Sequence, residues 1–282
     1  MIPMFITIVV EEYINHISAL SFDVTVDLTL AERAIWNRPN WMAVEFNLLY
    51  RWHSLVPNRI EWPRRCVPQD LIANASEVAN RPGVAGVPAR FLHLDNSFLI
   101  NAGLAAALDS SSRQKAARIG LKNTPAFMFE NNMEVEERTI RQGRDNNVAS
   151  YNAYRAAIGL PPVDDFWQVT GDATRVRELE RVYGTKAQGG PGRLEFYTGL
   201  FAEDLLPNSP LPNLMAFFVG VDAFTQALTN PLLSPHVFNE TTFTPEGLGW
   251  ITSTHGLRNI AERNIPVGLG EVRMTHADWR RK

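Results

Sequence analysis

Glu45-Phe46-Asn47-Leu48-Leu49-Tyr50-Arg51-Trp52-His53-Ser54-Leu55-Val56-Pro57 is the stretch on which the reading of this chain turns. Tyr50 and His53 stand three positions apart. On a helix that spacing stacks two side chains on one face, with Cβ atoms about 5–6 Å apart. Phe46 and Leu49 extend the same face toward the N-terminus as an apolar stripe. An imidazole there can hold a metal, and a phenol beside it can exchange an electron and a proton with whatever that metal oxidises. The spacing also admits a plainer reading. His53 would be a hydrogen-bonded structural residue, and Tyr50 a core tyrosine with its hydroxyl at the surface.

The rest of the composition narrows the choice. With 282 residues, 45% of them hydrophobic and 20% charged, the chain can build one large helical domain or two modest ones. A net charge of −3 gives no general pull toward nucleic acid or anionic lipid. Cys66 is the single cysteine, so no intramolecular disulfide staples the fold. The apolar run Met1–Val10 stops at Glu11-Glu12, too short to span a bilayer, and Leu211–Leu228 is interrupted by Asp222 and Gln226 and reads as a buried helix.

Periodicity predicts a mainly helical chain with little sheet. Apolar residues at 5, 8, 9, 13 and 17 mark a helix over Phe5–Ala19. Asp23–Asp27 alternates like a short extended segment. Pro39 sits where a helix begins, Trp41–His53 is expected as one helix, and Pro57 ends it. Residues 82–88, with two prolines and two glycines, are expected as a loop. Asn96–Leu108 reads as a helix closed by Ser110-Ser111-Ser112, and Gly184 closes another after Leu179–Tyr183.

Glu45–Pro57 resembles the proximal-haem segment of the cyclooxygenase branch of the animal haem peroxidase superfamily, where Glu-Phe-Asn is followed by Tyr-x-Trp-His. With arginine in the variable position it is most similar to the fungal linoleate diol synthases. The resemblance continues at Arg141-Gln142-Gly143-Arg144-Asp145, Ser150–Arg155, Glu195-Phe196-Tyr197, Asn213–Thr229 and Thr254–Asn264, and Glu11–Ser18 is similar to the helix that precedes the proximal segment. It implies a mainly α, animal haem peroxidase or cyclooxygenase-like domain. Residues 1–282 would be the C-terminal part of the catalytic domain, with the N-terminal, distal half absent. It implies haem b as cofactor, with its iron held by His53, and a radical on Tyr50. Tyr197 would lie beside the haem and hydrogen-bond Tyr50 or His53. Tyr13, Ile14, Phe46, Leu49 and Trp52 would line the substrate channel. The family's channel-mouth tyrosine is Leu20 here, so its grip on a carboxylate is not implied. Mammalian peroxidases pair the proximal histidine with an asparagine at the position of Thr139, so that role is not implied either. Arg141, Arg144 and Arg155 would pair with haem propionates or with buried carboxylates. His53 is expected to face a porphyrin-sized cavity walled partly by residues 141–155 and 194–200.

The activity so implied is that of an oxidoreductase, a haem-dependent fatty-acid dioxygenase and peroxidase. A tyrosyl radical takes hydrogen from a polyunsaturated fatty acid, O2 adds, and peroxide supplies the oxidant. A simple haem peroxidase acting on small donors and a truncated, non-catalytic haem-binding remnant are the alternatives. The distal histidine that would move protons on peroxide has no counterpart in these residues; His16 belongs to a different helix of the pattern. Vertebrate members are disulfide-bonded and lumenal, whereas one cysteine points to a reducing, cytoplasmic setting. Peripheral membrane contact and homo-oligomer formation are left open, and a nucleic-acid partner is not expected.

Overall fold

The computed structural model describes residues 1–17, 43–79, 81–92, 95–130, 133–207, 209–265 and 267–274. The expectations placed on Asp23–Asp27, Leu20, Pro39 and Trp41 lie outside them.

The chain is mainly helical, as expected. Helix α1 (Ile2–Ile8) runs into a π-helical segment, Val9–Ile14, and a last turn, α2 (Asn15–Ile17). Helix α3 (Val44–Leu49) and a 3-10 turn (His53–Leu55) follow, then a small sheet of β1 (Arg59–Pro63), β2 (Ser76–Glu77) and β3 (Val84–Pro88). The remaining helices are α4 (Ser97–Ala102), α5 (Leu104–Arg113), α6 (Val135–Asp145), α7 (Tyr151–Ala157), α8 (Ala173–Tyr183), α9 (Phe196–Ala202), α10 (Asn213–Leu228), α11 (Glu240–Phe243), α12 (Pro245–Thr252) and α13 (Leu257–Asn264).

The sheet corrects one expectation. Only Pro82-Gly83 of residues 82–88 turn as expected: Val84–Pro88 form β3, the central strand, antiparallel to β1 on one side and β2 on the other, with Ile60 opposite Val87 and Trp62 opposite Ala85. Ala85 and Val87 are fully buried against Phe98 and Val67. Gly86 is needed at the crowded position, because a Cβ there would meet the Ser76 hydroxyl at 3.1 Å. Pro63 and Pro88 tolerate the ladder because they sit at strand ends. The helix expected over Asn96–Leu108 is two helices, broken at Gly103 with φ of 77°. The serines do not end the second one. Ser110 is buried with its hydroxyl satisfied by the Glu61 carbonyl, so α5 continues to Arg113.

The main core gathers Leu48 and Leu49 of α3, Tyr151, Phe166, Leu194, Phe196, Leu200, Leu214 and Met215. Each such side chain contributes about 1.5–3 kcal/mol on burial. Gly199 lets α9 approach α7: a Cβ there would lie 2.3 Å from the Tyr151 ring. Helix α10 buries one side only. Leu214, Met215 and Val219 face the core, whereas Phe217 and Val221 are 46% and 51% exposed. Among the described residues no helix is long and apolar enough to cross a membrane.

Candidate functional site

The segment Glu45–His53 is tied down residue by residue. Glu45 accepts a 2.5 Å hydrogen bond from the Tyr154 hydroxyl of α7, Phe46 packs on Tyr50 with ring centroids 4.7 Å apart, and Asn47 accepts from the Arg51 guanidinium at 2.6 and 2.8 Å. Arg51 also reaches α6, donating to Thr139 Oγ1 and to Gln142 Oε1, both at 2.9 Å.

Trp41–His53 is not one helix. The α-helix ends at Leu49, and Tyr50 leaves helical geometry with φ −99° and ψ 13°. The reason is local competition for one carbonyl. In a continuing helix Leu49 O would accept the His53 N–H. The Trp52 indole N–H takes that carbonyl instead, at 2.8 Å, while the backbone N–H of Arg51 turns tightly onto Leu48 O. His53 then opens the 3-10 turn, and Val56, before Pro57, is extended. Tyr50 and His53 are therefore not stacked on one helical face. Tyr50 joins an aromatic stack, with Trp52 5.5 Å away on one side and Phe46 on the other, and Tyr13 follows at 6.3 Å from Trp52. His53 turns toward α6.

The other residues expected along a channel divide. Tyr13 and Trp52 are half-buried members of that stack. Leu49 is buried in the main core, and Ile14 is buried in a separate cluster with Ile6, Val10 and Leu233. Tyr13 is presented from the π-helical segment, whose wide turn shifts its side chain off the α-helical register. Burial raises the Tyr13 phenol to about 12. Burial raises the Tyr50 phenol as well, helped by Asp222 and then Tyr13, so both are neutral at physiological pH.

Glu136 is the residue that sequence reasoning missed. Its Oε1 accepts from His53 Nδ1 at 3.0 Å and from Thr124 Oγ1 at 2.6 Å, and its Oε2 accepts from the Tyr197 hydroxyl at 2.6 Å. Burial pushes the Glu136 carboxyl up. The hydrogen bonds from His53, Thr124 and Tyr197 outweigh it and hold the group below the usual carboxylate range. Burial, and next the charge of Glu136, push the Tyr197 phenol up. Tyr197 thus reaches His53 through Glu136, not directly. A signal was present: Glu136 lies three residues before Thr139, one turn earlier on the same face of α6.

The arginines of 141–155 pair with carboxylates of this chain. Arg144 holds Glu195 with two bonds, at 2.7 and 3.3 Å, and Arg155 lies 3.5 Å from buried Glu203. Arg141 pairs with Glu137 within α6. Glu203 also accepts from the Tyr151 hydroxyl at 2.5 Å and the Leu214 N–H at 2.9 Å.

Among the described residues, these segments do not enclose the expected porphyrin-sized cavity beside His53. Residues 140–148 and 195–198 close on Leu48 around a void of about 40 Å³. A larger cavity of about 230 Å³ lies elsewhere, between Arg118, Asn123, Asp172, Arg175 and Glu203. His53 borders neither, and its side chain is 22% exposed. Among the described residues no three His, Cys, Asp or Glu groups converge as a bare metal ion requires. One imidazole with a carboxylate on Nδ1 and, among the described residues, no partner on Nε2 is a donor set that fits a metal carried in a cofactor with its own ligands.

Comparison with known proteins agrees. The family model described as animal haem peroxidase matches residues 37–274. Prostaglandin G/H synthase 1 of Rattus norvegicus is 31% identical over 238 residues, covering 84% of this chain but 35% of that protein. Prostaglandin G/H synthase 2 of Bos taurus is 27% identical over 275 residues, covering 96% of this chain and 41% of its own length. Among solved structures, the Oryza sativa fatty acid alpha-dioxygenase superposes with a TM-score of 0.65 at 21% identity, over 82% of this chain and 39% of that one. Peroxidase A of Dictyostelium discoideum gives 0.60 at 17%, over 81% and 41%. The chain thus spans well under half the length of these relatives, and within that span it belongs to the animal haem peroxidase family.

Proposed function

We propose that residues 1–282 are the C-terminal part of the catalytic domain of a haem-dependent fatty-acid dioxygenase, and that they supply its haem ligand and its radical residue. His53 holds the iron of haem b through Nε2, and Tyr50 is the oxidisable phenol. The haem, when bound, supplies a one-electron oxidant at the expense of peroxide. Tyr50 does the remaining chemistry. Its phenoxyl oxygen takes a hydrogen atom from the methylene between two double bonds of a polyunsaturated fatty acid, so an O–H bond forms as a C–H bond breaks. O2 adds to the carbon radical. The phenol then returns its hydrogen atom to the peroxyl oxygen, which releases a hydroperoxide and regenerates the radical. Phe46, Trp52 and Tyr13 flank Tyr50, exclude water and offer apolar contact to an acyl chain.

The observation that carries this reading is the pairing of His53 with the Glu136 carboxylate, three residues after a phenol packed in an aromatic stack. The names of the relatives agree, since prostaglandin synthases and a fatty acid dioxygenase are among them.

The test is oxygen uptake with linoleate, in a version carrying the whole catalytic domain, haem-loaded and primed with hydroperoxide. Tyr50→Phe should keep the Soret band and peroxide consumption but lose oxygen uptake. Loss through unfolding is not expected, because removing one hydroxyl costs about 1 kcal/mol. If the variant oxygenates linoleate at the parent rate, Tyr50 is a packing residue. If the parent oxidises phenols but takes up no oxygen with linoleate, the protein is a simple peroxidase.

A further inference from the structure

Thr139 of α6 accepts from the Arg51 guanidinium and makes no bond to His53. One turn earlier on α6 the structure puts a carboxylate, and it is a fully used one. Three donors from three parts of the chain converge on Glu136: His53 from the 3-10 turn, Thr124 from the segment before residues 126–129, and Tyr197 from α9. Glu136 is one-fifth exposed, and its two oxygens share these bonds two to one. A carboxylate only accepts hydrogen bonds. The His53 proton must then sit on Nδ1, and the lone pair must sit on Nε2, on the opposite side of the ring.

Building on the haem reading, we infer that Glu136 is the positioning residue of His53. It sets the tautomer and orientation of the imidazole and lends it anionic character, as carboxylates behind metal-bound histidines do. Thr124 and Tyr197 hold the carboxylate in place, so they act on His53 at one remove. Tyr197 is committed to Glu136 and does not hold Tyr50. Arg51 and Thr139 serve the neighbouring task of fixing the end of α3 against α6.

The inference separates two properties that two substitutions report. Glu136→Gln keeps an oxygen to accept from Nδ1 but removes the charge. Glu136→Ala removes both. In the 15N-labelled chain without haemin, long-range 1H–15N correlation should show His53 as the Nδ1–H form in the parent and in Glu136→Gln, and a mixture with the Nε2–H form in Glu136→Ala. On adding haemin, Glu136→Ala should bind about 10–100-fold more weakly. Glu136→Gln should bind nearly as the parent does, yet its haem should favour Fe(II) at least tenfold more, or 59 mV for one electron. A merely structural Glu136 would move neither the tautomer nor the potential. The inference falls if the parent His53 is the Nε2–H form, if Glu136→Ala binds haemin as tightly as the parent, or if the Glu136→Gln potential is unchanged. A parent chain that shows the Nδ1–H form and takes up no haemin overturns the haem reading and leaves the Glu136–His53 assignment standing.

Discussion

The Leu49 carbonyl decides where Tyr50 and His53 point, because the Trp52 indole claims it before the His53 backbone can. A tryptophan one position before the histidine therefore works against the helix that the apolar stripe promotes. Charged residues nearby act on the same scale. Burial raises the Glu195 carboxyl, but Arg144 and the Tyr183 hydroxyl more than offset it and leave the group below its ordinary value. The sign follows. A carboxylate depressed in the folded state stabilises above its unfolded pKa of about 4.3, and this is lost as pH falls through the folded value. Arg144 is 67% exposed, so solvent screens the pair and it should be worth no more than about 1 kcal/mol. Glu195→Gln should accordingly lower stability at about pH 6 and have little effect at about pH 3, measured by urea unfolding. An equal loss at both would show that the side chain contributes by packing alone.

Helices meet closely around the site because small residues and wide turns permit it. The π-helical turn carries Tyr13 to the stack on Trp52, and Gly199 lets α9 sit against Tyr151 of α7. That approach also brings Tyr197 to Glu136 and, at the far end of α9, Glu203 to Tyr151. Gly199→Ala should force the helices apart. Its Cβ would overlap ring atoms and the beginning of that side chain, which cannot swing away. Overpacking of this kind costs about 1–3 kcal/mol. Thermal unfolding should show the loss, and Tyr151→Leu should restore part of it in the double variant. A Gly199→Ala protein as stable as the parent would mean that α7 and α9 slide freely.

On the scale of the molecule, the His53 side chain is 22% exposed and borders neither of the two cavities among the described residues. A ligand bound only by the folded chain should stabilise it, by about 2.7 kcal/mol at a free concentration one hundred times the dissociation constant. Haemin should thus raise the unfolding temperature of the parent and leave that of His53→Ala unmoved, with the Soret band lost in the variant. An equal rise in both would place haemin elsewhere on the surface. Residues 37–274 carry the family, while the relatives extend well beyond the span matched here.

Much of this was legible in the sequence because it depends on near neighbours and short repeats. Helical signals announced α8 and α10, Gly184 announced the end of α8, and Tyr50–His53 announced the family. What the sequence left open was decided by groups distant along the chain. Strand β3 exists because β1, more than twenty residues earlier, pairs with a Pro- and Gly-bounded segment that has no strand signal of its own. Arg144 and Arg155 found Glu195 and Glu203, about fifty residues on, as their partners. Glu136 became the partner of His53 only when α6 packed against α3, since eighty-three positions separate them and periodicity reaches a few turns at most. The sequence by itself determined the family and the mainly helical fold. The turn at Leu49 is settled locally by Trp52, whereas tertiary packing decided which way the imidazole faces, because its partner Glu136 lies on another element.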